Sequence, residues 1–429
     1  MTIVAPDQAV LSRAPRLLVR PPIRIALLGL GQVGGAIATI AASPASGGGT
    51  FLIASTLVRD LQRPRSIDAG RLGLTASYGE PLRSKPDVLV EVLGGVEPAR
   101  TLVLSALHSG IPVVTANKSL LAACGDELFA AAAAARVPLL YEASVLAGVP
   151  FLGTFARRPL ASSAITGLRG IVNGTSNFIV SRMAHDRSGF DEALAAAQRA
   201  GYAEPDPTKD INGDDAVEKL CVLLRHFAGF SVKPSQIDHA GINGIDLADI
   251  AHARAFGGAV RPIVVADWAG DCPSAYAGPA YVSDGHPLCR IDGVQNAIGL
   301  TTRSSGELFF SGPGAGPAVT ASTVLDDVIE AAAGSGGAIE AARPVTVSGL
   351  ADAGWFLRIS SSTLAESDAP ALLSSLGVRL QRASHVDARA GEHSQWLLTH
   401  PCSRAHLDAA LELLTSRTCC RHWCLPALD

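Results

Sequence analysis

Residues 23–34 read I-R-I-A-L-L-G-L-G-Q-V-G, and residues 35–42 continue G-A-I-A-T-I-A-A. A short apolar run ends in glycines at 29, 31 and 34, and a small-residue helix follows. That order of strand, glycine turn and helix is the context in which G-x-G-x-x-G carries meaning. The first glycine permits a tight turn, the second lets backbone approach a pyrophosphate, and the third allows close helix–strand contact. The helix N-terminus then offers unpaired N–H groups to the anion. The stretch predicts a dinucleotide-binding unit with Gly29, Gly31, Gln32, Val33 and Gly34 at the cofactor.

Working outward, a Gly- and Ser-rich loop (Ser43 to Gly49) leads into a second strand, Phe51 to Val58. An acid at the end of that strand suits the ribose hydroxyl of NAD, whereas Arg59 comes first here, with Arg63 and Arg65 close by. A guanidinium suits a 2′-phosphate, so NADP(H) is favoured; Asp60 keeps NAD(H) in play. Strands at Asp87 to Leu93, Ile111 to Thr115 and Val137 to Tyr141 alternate with alanine-rich helices, which predicts a parallel sheet. The turns G-G-V-E-P (94–98), T-A-N-K (115–118) and Y-E-A-S-V (141–145) fall beyond the carboxyl ends of strands, where ligands bind in such sheets.

From Ile165 the texture changes. Ile165 to Val172 reads as a strand, N-G-T-S-N (173–177) as a polar turn opening a helix, and the stretch to Phe310 as mixed helix and strand. S-G-P-G-A-G (311–316) either approaches a ligand, through Gly314, or hinges two domains. Thr320 to Ala333 is a helix, Gly334 to Gly337 a linker, and Pro344 to Asp429 reads strand, helix, strand, strand, helix, strand. The run G-Y-A-E-P-D-P-T-K-D-I-N-G-D-D-A-V-E-K (201–219) gathers acids before a lysine as a turn enters an apolar-striped helix. Asp215 and Lys219 are four apart and share a face. Standing alone they would be an exposed salt bridge.

Bulk composition excludes several classes. The 429 residues suffice for two or three domains, and 48% hydrophobic with 17% charged content describes a globular chain. A net charge of −4 makes no case for nucleic acid or an anionic membrane as partner. Apolar stretches are broken before the ~18 residues a span requires. Residues 1–20 hold Arg13, Arg16 and Arg20 without a compact apolar core, and read as a disordered tail rather than a secretory signal. Eight scattered cysteines suit a reducing, cytoplasmic location. Cys419, Cys420, His422 and Cys424 crowd the C-terminus, but adjacent cysteines converge poorly on one tetrahedral ion, so packing in a last strand is expected.

Taken in order, these motifs resemble homoserine dehydrogenase from about Ile23 onward. They are G-L-G-Q-V-G (29–34), G-G-V-E-P-A (94–99), V-V-T-A-N-K-S-L-L-A (113–122), Y-E-A-S-V-L-A-G-V-P (141–150), V-N-G-T-S-N-F-I (172–179), the 201–219 run, G-P-G-A-G (312–316) and T-A-S-T-V-L-D-D (320–327). The resemblance implies reversible NAD(P)H-dependent reduction of aspartate 4-semialdehyde to homoserine, on the path to threonine and methionine, by a homodimer or homotetramer. It implies an α/β fold in three parts. These are a Rossmann-type nucleotide-binding domain (21–150, completed by 312–340), a mixed α/β catalytic and dimerisation domain (151–311), and a small α+β ACT-like regulatory module (344–429).

The resemblance also places the family's lysines on Lys118 and Lys219, its substrate-binding acids on Glu204, Asp210 and Asp215, and a substrate-contacting threonine on Thr175. Thr115 and Gly314 fall at its cofactor. A Na+-type site would involve Glu142 with the backbone carbonyls of Val145, Ala147 and Val149, although Glu142 also reads as a core acid satisfied by backbone N–H groups. Ser119 stands where alanine is usual, and Arg261 where lysine is common. The first strand of the module, Trp355 to Ser360, runs into S-S-T-L (361–364) without the Gly-rich, Asp-containing turn of effector-binding ACT modules, so weakened threonine feedback is expected. Two ammonium groups near one substrate would depress each other's pKa towards a useful range. Lys219 is then the general acid for reduction, with Lys118 orienting the substrate and stabilising the alkoxide; the reverse assignment stays open.

Overall fold

The computed structural model describes residues 21–43, 50–65, 67–268, 272–334, 342–350, 352–362, 368–389 and 392–429. The expected N-terminal tail, the 43–49 loop beyond its first residue, most of the 334–337 linker, and Thr363 and Leu364 lie outside these. The first layer is a six-stranded parallel sheet: β1 (Ile23–Leu28), β2 (Phe51–Leu57), β3 (Leu74–Thr75), β4 (Val88–Glu91), β5 (Val113–Thr115) and β6 (Leu139–Leu140). Its order is β3-β2-β1-β4-β5-β6. Ile25, Leu27, Val88 and Val90 bury on one face and Ala26, Leu28 and Leu89 on the other. Near-continuous apolar runs suit strands covered on both sides. The connecting helices are α1 (Gln32–Ala42), α2 (Glu80–Arg83), α3 (Ala99–His108) and α4 (Lys118–Ala135). Chain order reverses between β1 and β4, which opens a crevice beyond their carboxyl ends.

The chain then forms α5 (Leu152–Ala156), α6 (Pro159–Ser163), β7 (Ile165–Ile171), α7 (Gly174–Asp186), α8 (Phe190–Arg199), α9 (Thr208–Asn212) and α10 (Asp214–Ala228). After β8 (Phe230–Ser231) and β9 (Asp238–His239) come α11 (Leu247–Ala255), β10 (Gly258–Asp267), β11 (Ser274–Ser283), β12 (Gln295–Thr302) and β13 (Gly306–Pro313). Strands β13-β12-β7-β10-β11 lie side by side in that order. Helix α10 is the keystone between the layers. Val217 and Leu220 to Leu224 are all buried, in one cluster with Leu120, Leu121 and Leu128 of α4 and Leu168 of β7. A helix apolar on most of its circumference belongs between two layers. Helix α12 (Pro317–Ala332) returns to the first sheet, setting Ala321, Val324 and Val328 against Ile25 and Leu27.

The C-terminal segment comprises β14 (Arg343–Pro344), β15 (Asp352–Ser361), α13 (Asp368–Ser375), β16 (Leu380–Ala383), β17 (Asp387–Arg389), β18 (Glu392–Thr399), β19 (Cys402–Ser403), α14 (Arg404–Thr418) and β20 (Arg421–Leu428). Its main strands and two helices follow the order read from sequence. Strand β20 pairs in parallel with β11 (Tyr281 to Ala427, Val282 to Leu428), so one sheet runs β13-β12-β7-β10-β11-β20-β15-β18-β16. One face of the segment packs Phe356, Trp396 and Leu425 against Val180, Ala253 and Phe256 of the preceding domain. Cys420 is buried in the segment's other core, while Cys419 caps α14 in the left-handed region and is exposed.

Candidate active site

Two loaded turns meet where α4 and α10 begin. Asn117 caps α4, its side chain accepting from Leu120 N, so Lys118 is the first helical residue. Asn173 caps α7 in the same way through Ser176 N at 2.7 Å. Both are polar side chains satisfying N–H groups that a helix start leaves unpaired.

The centre is the buried Asp215 carboxylate. One oxygen lies 2.9 Å from Lys219 Nζ and the other 3.1 Å from Lys118 Nζ. Asn173 Nδ2 donates to Asp215 Oδ2 and to Asp210 Oδ1, each at 2.7 Å. Lys219 Nζ donates to the Val172 carbonyl at 2.7 Å. Burial disfavours the charged form of Asp215, but Lys219, Lys118 and the donors outweigh it and hold the carboxyl well below its usual range. For Asp210, burial dominates and raises the pKa despite the Asn173 hydrogen bond.

The expected mutual depression of the two lysines is corrected for Lys118. The Asp215 charge, with help from Glu218 and Asp210, raises its pKa against desolvation. A carboxylate standing between the two ammonium groups outweighs their repulsion, so Lys118 holds its proton.

Not every expected substrate residue joins this cluster. Glu204 is exposed, and its carbonyl accepts from Gln198. Thr175 donates its hydroxyl to the Tyr202 carbonyl at 2.8 Å, tying the start of α7 to the turn that carries Glu204. Arg261 lies in a separate bolt, donating to Cys289 O, Ser181 Oγ and Asp292 Oδ1.

Beyond the ends of β1, β2 and β4 lies a cleft of about 610 Å³, lined by Gly29, Gly31, Arg59, Arg63, Tyr78 and Gly94 among others. The glycines divide their work as the motif implies. Gly29 has φ +106°, and a Cβ on Gly34 would lie 2.2 Å from the Gly29 carbonyl oxygen. A Cβ on Gly31 would meet nothing within 4 Å, which leaves its backbone open to a ligand. Gln32 and Val33 form the first turn of α1. The residues present thus fit a nicotinamide dinucleotide.

Two expected cofactor residues are not among the lining of that cleft. Thr115 is buried, donating to Glu91 at 2.6 Å, and a Cβ on Gly314 would overlap Asn296 at 2.0 Å. Ala147 N donates to Gly314 O and Gly148 N to Pro313 O, so the 312–316 loop is tied by its backbone to the 147–148 turn. Glu142 has the backbone donors that its reading as a core acid requires. Both Glu142 oxygens accept from Phe151, Leu152 and Gly153 N–H at the start of α5, and Ala147 O accepts from Thr323. Val145 and Val149 are buried beside it.

Sequence reasoning missed two residues. Asn173, read only as part of a polar turn, bridges both acids. Glu91, ending an apolar strand, is wholly buried and accepts from Leu93 N, Thr115 and Asn117, while Asn117 Nδ2 also donates to the Gly95 carbonyl at 2.7 Å. That network joins the cleft at Gly94 to Lys118. A lone acid at the end of a parallel strand is the signal that could have found it.

A family model described as the homoserine dehydrogenase NAD-binding domain matches residues 29–142, and one described as homoserine dehydrogenase matches residues 150–329. The homoserine dehydrogenase of Synechocystis is 37% identical over 317 residues, covering 72% of each chain. The chain belongs to the homoserine dehydrogenase family. The Bacillus subtilis enzyme is 36% identical over 313 residues, again 72% of each chain. Among solved structures, the homoserine dehydrogenase of Thiobacillus denitrificans superimposes with a TM-score of 0.87 at 29% identity, covering 95% of this chain and 98% of that one. A hyperthermophilic archaeal homoserine dehydrogenase in complex with NADPH gives 0.60 at 29% identity, covering 72% and 97%.

Proposed function

We propose that the Lys118–Asp215–Lys219 cluster is where this homoserine dehydrogenase exchanges a proton with its substrate, Lys219 giving it in reduction and taking it in oxidation. The reaction is the reversible NAD(P)H-dependent reduction of L-aspartate 4-semialdehyde to L-homoserine, in threonine and methionine biosynthesis. The observation that carries the assignment is one buried carboxylate shared by two ammonium groups from different layers.

A bound nicotinamide supplies the hydride, and the protein must manage the charge left on the aldehyde oxygen. Lys219 uses one N–H on Val172 O and one on Asp215, which leaves the third, among the described residues, for that oxygen. Lys118, kept cationic by Asp215, stabilises the developing alkoxide. Asp210 is placed to pair with the α-ammonium of the substrate, whose arrival would favour the charged carboxylate. Glu204 would close over the same group from the rim.

NADP(H) is the preferred cofactor in this reading. Arg59, Arg63 and Arg65 line the cleft together with Asp60, whose carboxylate already accepts from Gln62 N at 2.8 Å, so cationic groups dominate the 2′ end. The 344–429 segment is read as ACT-like with weak threonine response, and the assembly as a cytoplasmic homodimer or homotetramer. Among the described residues no helix is long and apolar enough to cross a membrane. Steady-state homoserine oxidation with each nicotinamide, with and without threonine, tests this. A higher kcat/KM with NADP and little inhibition by threonine are expected; NAD preference or strong threonine inhibition would contradict the respective parts.

A further inference from the structure

Beside the cluster lies a second polar group that the reaction does not use. Ser119 Oγ donates to Glu218 Oε2 at 2.6 Å, and Lys209 Nζ donates to Glu218 Oε1 at 2.7 Å and to Ser119 Oγ at 3.3 Å. The three residues come from α4, α9 and α10, so the triangle closes across the two layers. Each member adjoins a member of the cluster in sequence: Ser119 follows Lys118, Lys209 precedes Asp210, and Glu218 precedes Lys219 while lying one turn from Asp215.

An exposed ion pair is worth little in stability. Lys209 is largely exposed, yet the Glu218 side chain is only 14% exposed and accepts from two donors, so its carboxylate is held in one orientation. A charge fixed there acts on Lys118 together with those of Asp215, which shares α10 with Glu218, and of Asp210 on α9.

We propose that Glu218, through Ser119 and Lys209, is a positioning residue that locks the start of α4 onto α9 and α10 and thereby sets Lys118 against Asp215. Ser119 is the member by which the nucleotide-binding layer joins the triangle. The proposal rests on the role given to Lys118 above. It predicts that loosening the triangle lets Lys118 drift from the substrate oxygen without disturbing the glycine cleft. Lys118 also loses a neighbouring negative charge, leaving Asp215 and Asp210 as its acids and Lys219 across Asp215 as the facing cation.

The test compares Glu218→Gln, Ser119→Ala and Ser119→Thr in the full-length protein. Two readouts are taken: kcat/KM for homoserine, and the pH dependence of acylation at the Lys118 amine, followed by mass spectrometry. Glu218→Gln should lower kcat/KM ~10-fold, the scale of a small misplacement, with the affinity for NADP unchanged. Its Lys118 acylation profile should move to lower pH, because the lysine gives up its proton more easily. Ser119→Ala should also lower kcat/KM, and Ser119→Thr should restore it. An unmoved acylation profile in Glu218→Gln would overturn the proposal, whatever the activity. A moved profile with kcat/KM unchanged in both Glu218→Gln and Ser119→Ala would show only the lost charge and would overturn the lock.

Discussion

Asp215 follows Lys118 by 97 residues in sequence, and their side chains meet at 3.1 Å across the boundary between two layers. The contact depends on α10 being gripped on several sides, so that Asp215 is presented at its buried end while Asn117 starts α4 at the residue before Lys118. Packing, rather than local sequence, places the two charges together.

Replacing Asp215 with Asn should therefore do more than remove one hydrogen-bond acceptor. It leaves two ammonium groups close together without the charge that reconciles them, a costly arrangement for buried ions. A fall in kcat/KM of ~100-fold or more is expected, with NADP binding retained. Near-normal kinetics would show that the shared carboxylate is incidental.

The glycine turn separates into a packing position and a ligand position. Gly34→Ala pushes a methyl group into the Gly29 carbonyl and should lower the melting temperature as well as NADP affinity. Gly31→Ala meets open space and should fold normally while binding NADP more weakly. Thermal melts with fluorescence titration distinguish them; equal stability losses in the two variants would refute this division.

The C-terminal segment is anchored by a wholly buried acid. Asp249 of α11 receives Arg358 at 2.8 Å and the Trp396 indole N–H at 2.8 Å, both from the segment, and burial raises its pKa against the Arg358 charge. Arg358→Met strands that carboxylate and should destabilise the protein by ~3 kcal/mol in denaturant titration. The shared sheet predicts one unfolding transition for both parts; a separate early transition would contradict it.

His226 links acid sensitivity to the core under α4. It sits 2.9 Å from the Tyr141 hydroxyl, and desolvation lowers its pKa to about 4 from an ordinary 6.5. Its folded pKa is depressed, so below pH 6.5 the unfolded chain takes up the proton first and stability falls until about pH 4. The loss is on the order of 3 kcal/mol for this group. His226→Gln should flatten the stability–pH curve in that window, and an unchanged slope would place the acid sensitivity elsewhere.

The nucleotide-binding half was legible because its signals are local. Gly29, Gly31 and Gly34 each answer to a backbone constraint within a few residues, and the 201–219 run named Asp215 and Lys219 by helical spacing. Asn173 and Glu91 escaped because their importance lies in partners 37 to 42 and 24 to 26 residues away, which no periodicity reveals. Glu142 was legible as a core acid satisfied by backbone N–H groups, but its donors lie at the start of α5, a short helix the sequence pattern did not disclose. The continuous sheet was hidden too, since parallel pairing of β20 with β11 is a long-range choice.

The central claim is met most directly by Lys219→Met, assayed for homoserine-dependent NADP reduction alongside a binding titration for NADP. The account predicts turnover lowered ~100-fold or more with the dinucleotide still bound. Turnover close to that of the unaltered protein would contradict it.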